Sequence, residues 1–187
     1  DTYPVMGNTP DTLMTRVENC YSTLFHEFQH MLNFSSSLHH CEQGKTDNLY
    51  YMDTFLNEAF SMAAEHLVCT SDSTASRIER FNGSKYSPGS PLTTWNGTLD
   101  NYANSYLFGQ YLRTRWKQGE HAKDKELGSD FYQKVYNACV DLVGEDGEQI
   151  RYDGNAMDVA ANLLQTNAIS LTIDFWTAVC LNQSNGV

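Results

Sequence analysis

Five consecutive residues, His26-Glu27-Phe28-Gln29-His30, leave this chain little freedom in what it can build around them. They sit inside the apolar-periodic run Leu24 to Phe34, whose spacing predicts a helix. On a helix, positions i and i+4 lie one above the other, so His26 and His30 share a face. Two stacked imidazoles can hold one metal ion, and neutral imidazole suits zinc. A catalytic zinc keeps about three protein ligands and a water, and lowers the pKa of that water to about 7. Glu27 stands where it can take the water's proton, the general-base role in the H-E-x-x-H pattern.

The rest of the composition narrows the class. At 187 residues the chain fits a single domain, 1–187, with enough length to bury a core. Hydrophobic residues make up 41% and charged residues 19%, an ordinary globular balance. The formal net charge is −11, with 12 Lys and Arg in no long run, which argues against nucleic acid as a partner. No apolar run approaches a membrane span. The opening Asp1-Thr2-Tyr3-Pro4 does not read as a signal peptide. Five cysteines (Cys20, Cys41, Cys69, Cys139 and Cys180) form no C-x-x-C pair and fit buried thiols or one or two disulfides. Asn33, Asn82, Asn96 and Asn182 each open an N-x-[ST] sequon, which matters only in a eukaryotic secretory pathway.

Six helices are expected along the chain. The first covers roughly 12–34, capped by Asp11 or Thr12, with residues 1–10 a loop. Residues 35–49 read as a polar loop over the site, carrying His39 and His40 as rival ligands. A second helix spans about 53–69, and 70–98 reads as a long irregular segment rich in Ser, Thr, Gly, Pro and Asn. Helices follow over 102–115, 130–142, 155–164 and 172–181, with a charged loop over 119–128. Period-2 strands are scarce, so the fold is expected to be mainly α.

Two histidines do not complete a catalytic zinc site. The metzincin pattern would need a Gly and a His at offsets three and six after the second histidine, where Asn33 and Ser36 stand. A glutamate from the second helix is the alternative. Leu56-Asn57-Glu58-Ala59-Phe60-Ser61 supplies Glu58, and Glu65, seven residues on, shares its face.

H-E-F-Q-H together with L-N-E-A-F-S-M-A-A-E resembles the gluzincins, the zinc peptidases whose third ligand is a glutamate. With Tyr102-Ala-Asn-Ser-Tyr106-Leu-Phe added, the wording is most similar to the hyicolysin family of bacterial secreted metallopeptidases. That resemblance implies zinc held by His26, His30 and Glu58, with Glu27 as base and a protein or peptide as substrate. It further implies a secreted or cell-surface location and a zincin-like α+β fold with its helical part dominant, the two metal-binding helices side by side. The Tyr102 stretch is similar to the Tyr-bearing helix of zinc aminopeptidases. This makes Tyr102 the first candidate for stabilising the oxyanion, with Tyr106 one turn on and His121 as fallbacks, although an aromatic core stripe would have the same spacing.

Two departures from the pattern stand out. Thermolysin-like enzymes carry an Asp four residues after the ligand Glu, where this chain has Met62, so Glu65 is the expected carboxylate partner of a zinc histidine. Gluzincins also place a β-sheet before the zinc helix, and only 25 residues precede His26, so either that sheet is truncated in this sequence or the fold is minimal, with a fragment of sheet at most. An endopeptidase is the leading expectation; an aminopeptidase or a zinc-holding module without turnover are the others.

Overall fold

The computed structural model describes residues 10–42, 52–68, 73–83, 91–120, 122–123, 125–140 and 156–184. Within these ranges the chain forms seven helices and no strand: α1 (Pro10–Glu42), α2 (Thr54–Val68), α3 (Ser73–Gly83), α4 (Leu99–Gln118), α5 (Asp130–Val140), α6 (Ala156–Leu163) and α7 (Ala168–Ser184). The architecture is mainly α.

The second helix is the centre of the molecule. Phe55, Leu56, Ala59, Phe60, Met62 and Ala63 on α2 are all buried, and α1 and α4 both pack along it. Gly109 lets α4 come close, because a Cβ there would stand 3.0 Å from the Ala59 carbonyl oxygen. The core continues through Phe108, Leu112, Phe131, Val135, Leu171 and Phe175, contributed by α4, α5 and α7. Phe108 meets Phe55 and Phe175 with ring centroids 6.3 and 5.2 Å apart, distances at which tilted and edge contacts are favourable. The Tyr132 hydroxyl donates to the Gly109 carbonyl at 2.9 Å, so the buried phenol has a partner.

The start of α4 is fixed by a capping box. Thr98 Oγ1 accepts from the Asn101 backbone N–H at 3.3 Å, and Asn101 Oδ1 accepts from the Thr98 N–H at 3.3 Å. Tyr102 is the next residue, and its ring meets Trp95 edge-on at 5.0 Å.

Several boundaries differ from the sequence expectation. The first helix starts at Pro10, which suits a first helical position because its missing N–H would have had no helical partner. It continues to Glu42, through residues read as loop, since 35–42 contain no Pro or Gly to stop it. The segment 70–98 is not wholly irregular: it holds α3. That helix offers only two large apolar residues, Ile78 and Phe81, and only Phe81 is buried, so periodicity gave almost nothing to detect. The last helix begins earlier, at Ala168, and α4 is longer at both ends.

The docking of α1 differs from what its apolar stripe suggests. Val17, Tyr21, Leu24, Phe28 and Met31 are exposed, while Ser22 and Asn33 are buried. The surface of α2 facing α1 carries Asn57, Glu58, Ser61 and Glu65, and these groups need polar partners when buried. The polar edge of α1 supplies them.

Candidate metal centre

Helices α1 and α2 bring three donors to one point. His26, His30 and Glu58 offer ligand atoms that all lie within 4.8 Å of one another. The two Nε2 atoms are 3.1 Å apart; Glu58 Oε2 is 3.2 Å from His26 Nε2, and Oε1 is 3.6 Å from His30 Nε2. Helical spacing stacks the two rings, with centroids 4.7 Å apart and planes at 80°.

The other ring nitrogens face elsewhere. His26 Nδ1 lies 2.5 Å from Glu65 Oε1, and His30 Nδ1 lies 3.1 Å from Ser61 Oγ. A carboxylate only accepts, so Nδ1 of His26 carries its proton toward Glu65, which leaves Nε2 as the nitrogen whose lone pair would point inward once it is deprotonated. Ser61 can accept from His30 in the same way. Glu58 Oε2, although buried, has no hydrogen-bond partner among the described residues. Two imidazole nitrogens and a buried carboxylate oxygen converge on one point, and a divalent cation there would satisfy all three.

Electrostatics give the same picture. Burial alone would lower the His26 pKa, but the Glu58 and Glu65 carboxylates beside the ring outweigh it and raise the value to about 9. Burial would raise Glu58, yet His26 and His30 bring it down to about 2. His30 is also raised, chiefly by the Glu58 carboxylate beside it. In the absence of a cation, a proton is held in its place.

A shell of further contacts surrounds these three. Glu65 is buried, with 3% of its surface exposed, and accepts from four donors. Ser22 Oγ donates to Oε2 at 2.9 Å, and Arg77 donates from Nη1 to Oε2 and from Nη2 to Oε1, both at 2.9 Å. Beside His30, Gln29 Nε2 donates to Asn33 Oδ1 at 3.0 Å, and Asn33 Nδ2 donates to Asn57 Oδ1 next to Glu58.

Glu27 is exposed and makes no hydrogen bond or ion pair among the described residues. Tyr102 is half-buried and lines a cavity of about 630 Å³ together with Thr23, His26, Arg77, Arg80 and Leu99. Burial raises the Tyr102 hydroxyl pKa first, and the charges of Glu58 and Glu27 raise it further. The phenol therefore stays protonated, in the field of both glutamates. Tyr106 is placed differently: it is 2% exposed and its hydroxyl shares a 3.1 Å hydrogen bond with His66 Nδ1. The side chains of His39 and His40, and His121 altogether, lie outside the described residues.

The sequence reading did not single out Ser22, Ser61 or Arg77. Ser61 was within reach, since it falls three residues after Glu58 on the same face. Ser22 likewise stands one turn before His26. Arg77 gave no signal, because its helix lay in the stretch read as irregular.

Among the described residues the chain is thus a helical assembly carrying a two-histidine, one-glutamate group able to hold a metal ion. No family model matches the chain. A similar curated protein is the neutral metalloprotease ShpI of Staphylococcus hyicus, 41% identical over 124 residues, which is 64% of this chain and 26% of that protein. The chain thus spans about a quarter of the length of the relative it matches. Among the described residues no helix is long and apolar enough to cross a membrane.

Proposed function

We propose that this chain is the catalytic part of a zinc-dependent endopeptidase of gluzincin type, with His26, His30 and Glu58 as metal ligands. The observation that carries the reading is the convergence of both histidine Nε2 atoms on the Glu58 carboxylate, with Oε2 3.2 Å from His26 and Oε1 3.6 Å from His30. Likeness to a neutral metalloprotease supports it, and two imidazoles with one carboxylate is a donor set that suits zinc.

Bound zinc would supply the Lewis acidity that makes water a nucleophile at neutral pH. Glu27, exposed and unpaired, accepts a proton from the attacking water and returns it to the departing amine. Tyr102 donates its O–H to the peptide carbonyl oxygen as negative charge develops there. Glu65 and Ser61 hold the two rings so that the Nε2 atoms face each other and would both be available to an ion. Protein or peptide chains are the substrate class, and an extracytoplasmic setting goes with this reading.

The cavity beside His26 favours internal bonds over chain ends. Binding a free α-amine needs unpaired carboxylates, whereas the cavity presents Arg77 and Arg80, and its one carboxylate among the described residues, Glu65, is taken up by Arg77, Ser22 and His26.

Metal analysis of the purified protein, followed by digestion of an unfolded protein substrate with and without chelator, tests the proposal. One zinc per chain and chelator-sensitive internal cleavage are expected. Zinc uptake with no cleavage of any substrate would reduce the chain to a zinc-holding module, and release of single N-terminal residues would make it an aminopeptidase.

A further inference from the structure

We propose that Arg77 is a positioning residue for the metal centre: by gripping both oxygens of Glu65 it fixes the carboxylate that orients His26. This inference rests on the reading that His26 is a zinc ligand.

The contact is a fork on a fork. Nη1 and Nη2 of Arg77 each donate to a different Glu65 oxygen at 2.9 Å, which sets the plane of the carboxylate as well as its position. Glu65 Oε1 is the oxygen that meets His26 Nδ1 at 2.5 Å. Ser22 adds a bond only to Oε2, so without Arg77 the carboxylate could rotate about its last bond and withdraw Oε1 from the ring. An imidazole freed in this way would no longer present Nε2 toward His30 and Glu58.

Arg77 is itself held firmly. Its guanidinium carbon lies 5.8 Å from the centre of the Tyr106 ring, within cation–π range. One turn further along α3, Arg80 Nε donates to Asp100 Oδ1 of α4 at 2.8 Å, and Phe81 is buried. These contacts anchor α3 against α4, so Tyr106, Arg77, Glu65 and His26 form one continuous line from α4 through α3 and α2 to α1. That gives Tyr106 a place at the site as a platform for Arg77.

A merely structural Arg77 would neutralise the buried Glu65, and any cation reaching that point would serve. A positioning Arg77 needs its planar fork, which lysine lacks. The test therefore compares Arg77→Gln and Arg77→Lys in the full chain. It reads zinc affinity by competition with a chromophoric chelator, the visible spectrum of the Co²⁺-loaded protein, and melting of the metal-free protein. Both variants should lose affinity, Arg77→Gln by about 10- to 100-fold as for other groups behind a ligand. Both should shift the cobalt bands, and Arg77→Lys should melt near wild type without recovering the affinity. With Glu65→Gln in the background, the Arg77 effect should largely vanish.

Wild-type affinity and spectrum in Arg77→Lys would overturn the proposal, and so would full additivity with Glu65→Gln. Should Arg77→Gln fail to fold, Arg77→Lys and the cycle built on it still decide. A wild type that takes up no zinc would sink the protease reading itself, a different result from zinc-binding variants indifferent to residue 77.

Discussion

The Nε2 atoms of His26 and His30 face each other at 3.1 Å, while the Nδ1 atom of each ring is engaged by a residue of α2. Two unscreened lone pairs at that separation repel, and Glu58 adds negative charge beside them. The arrangement is stable only with positive charge between them, from protons or from a metal ion.

Replacing Glu58 by Gln removes that charge and one donor while keeping the volume. Zinc affinity should fall by at least about 100-fold, because losing a direct ligand costs more than losing a group behind one. Equilibrium dialysis against buffered zinc measures it, and full retention of zinc would show that another residue supplies the third ligand.

Metal uptake should depend on pH through the same groups. His26 titrates near 9 without metal, so below that pH each zinc must displace its proton. Between pH 6.5 and 9 the affinity should rise about tenfold per pH unit for each proton released, then level off. For the metal-free fold the sign is the opposite. The raised His26 pKa contributes stability that is complete below its ordinary 6.5 and is lost as pH rises through about 9. The depressed Glu58 pKa contributes stability that is present above its ordinary 4.5 and is lost as pH falls through about 2. Chelator competition and apoprotein melting across pH 6 to 10 should therefore show opposite trends.

Glu27→Gln and Tyr102→Phe should fail in different ways. The first keeps shape and metal but cannot take a proton, and turnover should drop about 10²- to 10⁴-fold with zinc content unchanged. The second removes a hydroxyl that matters only once charge develops, so kcat and kcat/KM should fall together by about 10²- to 10³-fold. Tyr106→Phe should change turnover far less, since its hydroxyl is bonded to His66. Steady-state kinetics on one fluorogenic peptide separates the three, and a silent Tyr102→Phe would remove that residue from the mechanism.

Gly109→Ala tests the packing beneath the site. The added methyl would stand 3.0 Å from the Ala59 carbonyl oxygen, a backbone atom one residue beyond Glu58. Overpacking of this kind costs about 1 to 3 kcal/mol, against roughly 1 kcal/mol of helix propensity gained. A lower melting temperature and weaker zinc binding are expected together; unchanged values would mean that α2 and α4 can separate freely.

Much of this was legible in the chain because helix geometry is rigid. A spacing of four puts His26 over His30, and a spacing of seven puts Glu58 and Glu65 on one face, whatever the surroundings. The helix pairing followed from the expectation that a single ion would draw ligands from both. What the sequence could not convey was which face of α1 docks. The apolar stripe of Val17, Tyr21, Leu24, Phe28 and Met31 identifies the helix, but the carboxylates on α2 decide its rotation. Arg77 was illegible for a related reason: α3 buries a single large side chain, Phe81, and periodicity detects buried stripes rather than ion pairs.

Asn33 offers the last consequence. It opens a sequon with Phe34 and Ser35, yet it is 7% exposed and its side-chain nitrogen donates to Asn57, the neighbour of Glu58. That nitrogen is the atom to which an oligosaccharide would be joined. In a eukaryotic host, sugar transfer and closure of α1 on α2 would be competing events on the nascent chain. A glycan at Asn33 would keep the two helices apart and hold Glu58 away from His26 and His30, so glycosylated molecules should take up less zinc than their unmodified siblings.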